Sequence, residues 1–195
     1  NTSYTLHIGN ATPTQEYFYV MVPGNETVFG IDFMYGSLFY GDTSYIKSPY
    51  LLNYSETQIS EVSLERNKQT VFDFVNNDGK WQMIAPLSET SIVSSEVDSL
   101  LTSLTRLQLD SYTGLTTEGL QLADYDLAKP YSTLRIQTFD GEETIIDFAK
   151  PDPNDGVSHL FFRNESEIAA MATGHLSFLD TEMAEFIDPK VLYLP

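Results

Sequence analysis

Apolar and polar residues alternate along most of this chain, the two-residue period of strands that bury one face. Leu6 and Ile8 open the first such stretch. Tyr17 to Val22 and Thr27 to Ile31 flank Pro23-Gly24-Asn25, a sequence that predicts a hairpin. Ile59, Val62 and Leu64 mark another extended segment. Val71 to Val75 and Trp81 to Ile84 flank a turn in which Asp78-Gly79 supplies the positive φ that a tight reversal needs. Thr133 to Thr138 and Thr144 to Phe148 flank Asp140-Gly141 by the same logic, and Val157 to Phe162 is a further strand. One segment changes to the helical period: Val97, Leu100, Leu101, Leu104 and Leu107 form a single apolar stripe. Its start near Ser95 predicts Ser94 or Ser95 as the cap, with Glu96 and Asp98 against the positive end of the dipole. Weaker helical patterns cover Thr117 to Ala123 and Thr181 to Phe186, the second capped by Asp180 and stopped by Pro189. The fold class expected is α+β, antiparallel hairpins and sheets with a few packed helices.

A fixed-offset comparison finds an internal echo with a shift near 140 residues. Leu6, Ile8 and Gly9 lie opposite Ile146, Phe148 and Ala149, and Pro13 opposite Pro153. Tyr17-Phe18-Tyr19-Val20 matches His159-Leu160-Phe161-Phe162, Asn25-Glu26-Thr27 matches Asn164-Glu165-Ser166, and Ile46, Pro49 and Leu51 match Ile187, Pro189 and Val191. The expectation is an imperfect duplication: residues 1–56 as the C-terminal part of a first repeat, residues 57–195 as a complete second one, packed together as one unit.

Composition narrows the function classes. With 42% hydrophobic residues in 195, the chain can build one full domain or two small ones. Ten basic residues face 28 acidic ones, for a net charge of −18. Phosphate-rich partners are bound through Lys and Arg, so nucleic acid and anionic membrane surfaces are excluded as partners. The absence of cysteine removes disulfides, thiolate zinc sites and cysteine nucleophiles together. No apolar run approaches the roughly 20 residues that span a bilayer. The chain opens on Asn1 and enters a strand pattern at once, so any leader or anchor is expected upstream.

Motifs that carry chemistry are sparse. His7, His159 and His175 form no HxH or HExxH spacing, and no G-x-S-x-G elbow, P-loop or G-x-G-x-x-G loop occurs. Asp152-Pro153-Asn154-Asp155-Gly156 falls short of a calcium loop, because Gly stands at its fifth position and Arg163 at its twelfth. Five N-x-[ST] sequons, at Asn1, Asn10, Asn25, Asn53 and Asn164, are read as polar turns. No catalytic, cofactor-binding or metal-ligating residue is assigned, and no cofactor is expected. The candidate ligand or partner surface is the aromatic stretch Tyr35, Phe39, Tyr40, Tyr45 and Tyr50, continued by Tyr54.

Trp81-Gln82-Met83-Ile84-Ala85-Pro86, the Leu-striped helix, Leu122-Ala123-Asp124-Tyr125-Asp126-Leu127-Ala128-Lys129-Pro130 and the strand Thr133-Leu134-Arg135-Ile136 follow one another in a recognisable order. This order resembles the bacterial family catalogued as domain of unknown function 4340, with its W-x-hydrophobic-x-x-P segment, L-rich helix, Y-G-L-x-x-P segment and strand pair ending in I-G. Asp126 stands where that family usually has Gly, and Phe148-Ala149 replaces the I-G pair, whereas Ile8-Gly9 fits it. Read physically, Trp81 is a core anchor whose indole N–H seeks a carbonyl, Pro86 ends a strand, and Pro130 holds Lys129 extended. The resemblance implies an extracytoplasmic module, often anchored by an N-terminal membrane segment and encoded beside ABC-type transport components of the gliding-motility type. It carries no catalytic residue. The expectation is therefore a non-enzymatic binding or scaffold module with protein partners at the cell envelope, touching a membrane only through an upstream anchor. The alternative is a glycan-binding module or a carboxylate-dependent glycan hydrolase at the cell surface.

Overall fold

The computed structural model describes residues 5–39, 47–88, 90–112, 121–152 and 154–189. The chain divides into two compact units, Asn1–Lys47 and Ser48–Pro195.

The first unit is an antiparallel meander of β1 (His7–Ala11), β2 (Tyr17–Met21) and β3 (Val28–Asp32), followed by the five-residue helix α1 (Phe33–Ser37). Alternation sorts β2 cleanly: Phe18 and Val20 are buried, Tyr17 and Tyr19 exposed. Asp32 caps α1 by accepting from the Met34 amide at 2.9 Å. The helix then lays Phe33 on Phe18, with ring centroids 5.0 Å apart. Gly36 makes this possible, because a Cβ there would stand 2.2 Å from Phe18 Cδ2.

The second unit is built on one eight-stranded antiparallel sheet. Its strands are β4 (Ile59–Arg66), β5 (Gln69–Asn77), β6 (Lys80–Ala85), β7 (Ser111–Tyr112), β8 (Ser132–Thr138), β9 (Glu143–Phe148), β10 (Val157–Phe162) and β11 (Glu167–Ala172). The spatial order is β6-β5-β4-β8-β9-β10-β11-β7. One face carries the main core: Val62 and Leu64, Phe72 and Phe74, Trp81 and Met83, Leu134 and Ile136, Leu160 and Phe162. Helix α2 (Ser94–Arg106) presses Val97, Leu100, Leu101 and Leu104 into it. Phe186, from the C-terminal turns, meets Phe72 and Phe74 edge-on. The opposite face is partly covered near β10 and β11, where Leu127 joins Ala149 and Ile168 and Tyr125 packs on them.

The division at Lys47/Ser48 lies upstream of the sequence boundary at 56/57. Its physical reason is that Leu51 and Leu52 are buried in the second core. The Leu51 amide donates to Leu107 and the Leu109 amide to Pro49, stitching this segment to the end of α2.

The structure is β-rich, two antiparallel sheets with two α-helices among the described residues, and so holds less helix than an α+β reading expects. Thr181 to Phe186 forms only a single 3-10 turn, Met183–Glu185, capped by Glu182 rather than Asp180. Of Thr117 to Ala123, residues 117–120 lie outside the described residues, and a 3-10 turn runs over Leu122–Tyr125. The cap position of α2 is Val93, not Ser94 or Ser95, with no side-chain hydrogen bond. Trp81 is buried as expected, but its indole Nε1 donates to the Asp98 carboxylate at 3.0 Å rather than to a carbonyl.

Candidate interaction surfaces

The aromatic stretch is divided by the fold. Tyr35 and Phe39 belong to the first unit and are 59% and 58% exposed. Asp32 sets the start of α1 and Gly36 seats its inner side on Phe18, so Met34 and Tyr35 stand outward in solvent. Leu38 and Phe29 are also exposed, giving this small unit more apolar surface than its three strands can bury. Tyr50 lies in the second unit, half-exposed and bridged to Gln108. Tyr54 packs against the second core, where burial pushes its hydroxyl up to about 12. Tyr40 and Tyr45 lie outside the described residues.

In the second unit, two open grooves meet at Trp81. One, of about 490 Å³, runs along β6 from Trp81 to Ile84, with Ser91 and Ile92 on its far side. The other, of about 340 Å³, is lined by Glu56, Asn76, Trp81, Asp98 and Phe139. Asp98 is held by the indole N–H, and Phe139 is exposed. A further groove of about 380 Å³ gathers Lys129 and Lys150 around Tyr131, with Asp126 beside them.

The polar face of the sheet carries its own ionic lattice. Asp147, on β9, is almost wholly buried and accepts from Arg163 Nε at 2.7 Å, Arg163 NH2 at 2.8 Å and Thr133 Oγ1 at 2.7 Å. The carboxylate hydrogen bonds hold the Arg163 guanidinium above its ordinary range. Farther along, Arg135 pairs with Glu143. Asp73 is raised by burial and by Glu61, partly offset by Arg135. Asp147 with Arg163 and Glu143 with Arg135 are thus paired, whereas Asp73 and Glu61 set two like charges beside each other.

The histidines stay apart from these features. His7 and His159 sit in strands, and His159 packs edge-on against Tyr125. Among the described residues no three His, Asp or Glu side chains gather as a metal site. Asp152 accepts from the Asn154 amide and side chain and closes a polar turn.

The pairing of Trp81 with Asp98 is the part of the site that sequence reading missed. Asp98 reads along the chain as a partner of the helix dipole, and nothing local couples it to an indole on β6. Glu56 and Phe139 reach the same groove from a turn before β4 and a turn after β8, which no local spacing connects.

The family model described as Domain of unknown function (DUF4340) matches residues 1–121. The chain belongs to that family. The match takes in the first unit and, in the second, the strands through Trp81 together with α2. The Leu122 to Pro130 segment lies beyond the matched residues, and there this DUF4340 chain shows why glycine suits the Y-G-L position. Asp126 has φ 59°, in the left-handed region, at the end of the 3-10 turn. No match was found among curated proteins or among solved structures.

Proposed function

We propose that this DUF4340 chain is a non-enzymatic binding or scaffold module that works outside the cytoplasm. Its partners are protein components of an ABC-type transport or envelope complex. The observation that carries the reading is the outward set of Met34, Tyr35, Leu38 and Phe39 on the first unit. Exposed apolar and aromatic residues on a small folded unit are a common mark of a protein-contact surface. The large negative charge favours a protein partner over a phosphate-bearing one. We read the architecture as α+β with an imperfect duplication, in which β1, β2 and β3 correspond to β9, β10 and β11. Both trios are antiparallel meanders followed by a short helical turn.

The hydrolase alternative draws on a carboxylate pair; Glu56 and Asp98 line one groove, but Asp98 is engaged by the Trp81 indole. The glycan-binding alternative draws on the aromatic stretch, in which Tyr35 and Phe39 are exposed while Tyr54 packs on the second core. Met34 and Leu38 add exposed aliphatic surface to the same short segment as Tyr35 and Phe39, which suits a protein contact better than a sugar ring, so protein binding is the preferred reading. Its test is capture from intact envelopes after cross-linking. The expected outcome is recovery of an ABC-type permease or its partner subunit by the native chain, and loss of that signal with Tyr35→Ser and Phe39→Ser together. Recovery of no transport component, or undiminished recovery by the double variant, would overturn the proposal.

A further inference from the structure

Among the described residues, strand β6 is an outer edge of the eight-stranded sheet, paired with β5 alone. The hairpin between them turns at Asp78 and Gly79, both at positive φ, as a two-residue reversal of the primed type requires. In such a hairpin the flanking pair, Asn77 and Lys80, exchanges both backbone hydrogen bonds, and the ladder then alternates. The register places Trp81 opposite Asn76 and Met83 opposite Phe74, at the non-bonded positions. The backbone N–H and C=O groups of Trp81 and Met83 therefore point away from β5. Among the described residues they meet no backbone partner.

The groove of about 490 Å³ lies along this edge. Four consecutive residues, Trp81 to Ile84, line it. Side chains alternate across a strand, so what four in a row share with one groove is their backbone edge. Across the groove, Ile92 is bridged to Ile187 on its other side, through the Val93 amide to Phe186 and the Asp188 amide to Ser91. That pairing leaves the N–H and C=O of Ile92 on the side away from Ile187. Lys80 and Pro86 stand at the ends of the edge. The regular edge runs from Lys80 to Met83, and Ile84, half-exposed and apolar, is the extra residue of an irregularity between Met83, opposite Phe74, and Ala85, opposite Asp73.

We infer that the open edge of β6 accepts an extended segment of a partner protein as an added strand, with apolar side chains over Met83, Ile84 and Ile92 and a basic residue at the Trp81 end. Main-chain pairing supplies the attachment in this mode, and side-chain pockets supply the selection. The basic residue follows from charge: the groove joins its neighbour at Trp81, where Glu56 and Asp98 stand. A second copy of this chain would bring another net charge of −18 to the same edge, which opposes self-pairing. This inference concerns residues of the second unit and does not depend on the aromatic face proposed above.

The experiment uses the purified chain and three synthetic ten-residue peptides. The first alternates valine and threonine with a lysine at each end, the second carries glutamate in place of lysine, and the third has a central proline in the lysine version. Trp81 is the sole tryptophan, so its emission reports the groove directly. The lysine peptide is expected to shift that emission and to slow amide exchange at Trp81 and Met83. The glutamate and proline peptides are expected to do neither. Ile84→Lys, at a half-exposed position, is expected to weaken binding of the lysine peptide about tenfold by placing charge on the edge, and Asp98→Asn to weaken it while keeping an acceptor for the indole. No emission shift, no protection of these two amides, or equal binding of the proline or glutamate peptide would overturn the inference. Self-association in sedimentation that Ile84→Lys abolishes would also overturn it, assigning the edge to a second copy.

Discussion

Two stretches of this molecule run nearly the same path and end in different surroundings. β1, β2 and β3 form a meander closed by a short helix, and β9, β10 and β11 form a meander closed by a helical turn. On β2, Phe18 and Val20 are buried while Tyr17 and Tyr19 stay in solvent. On β10, Leu160 and Phe162 enter the main core, and Phe161 on the reverse face packs under Leu127 and Ile168. On β11, the run from Glu167 to Met171 is buried without a break. Alternation along a strand thus defines two faces and says nothing about how many layers cover them. The second unit supplies α2 on one side and the Leu122 to Leu127 segment on the other. The described residues of the first supply one short helix for one side.

The sharpest way to test this contrast is to hollow the deeper core. Phe74 is fully buried, stacked on Phe72 and met edge-on by Phe186. Phe74→Ala is expected to cost about 3–5 kcal/mol, read from denaturant unfolding followed at Trp81. If amide exchange in β1 to β3 stays unchanged, the units answer separately; a parallel loss there would break the comparison. A smaller effect is expected in the first unit. Gly36→Ala drives a methyl into the Phe18 ring and should cost about 1–3 kcal/mol, measured as faster exchange across β2 and β3. Native exchange in that variant would show that the Phe18–Phe33 stack does not hold the unit together. The smallest effect has the opposite sign. Asp126→Gly relieves a left-handed residue at the end of a turn and should stabilise the second unit by about 0.5 kcal/mol, after the extra freedom of glycine in the unfolded chain is set against it. A lower unfolding midpoint would sink that account. Space calls for glycine at position 36, and backbone angle merely favours it at position 126, where Asp is tolerated.

Most strands were legible because their cause is local. Asp78-Gly79 and Asp140-Gly141 announce their turns, and Val62 with Leu64 or Phe72 with Phe74 announce an inward face. β11 was not legible: Glu-Ile-Ala-Ala-Met-Ala is covered on both faces and shows no period to detect. The short helix at Phe33 escaped notice as well, since its stability comes from Phe18, a residue on another element. Long-range causes also hide the grooves. An indole on β6 meets a carboxylate on α2, and the edge of β6 becomes visible only when the strand order of the sheet is known.

That order also dictates how the second unit can come into being. β4 lies between β5, which follows it at once, and β8, which arrives only after β6, β7 and α2 have been made. During synthesis the β4 to β6 meander must wait with the outer backbone edge of β4 unpaired, because the strand that pairs with it does not yet exist. Assembly of this sheet is therefore governed by a distant closure, the kind that slows folding and leaves nascent chains open to wrong pairings. A chaperone acting on this protein has its natural moment between the emergence of Arg66 and that of Thr138.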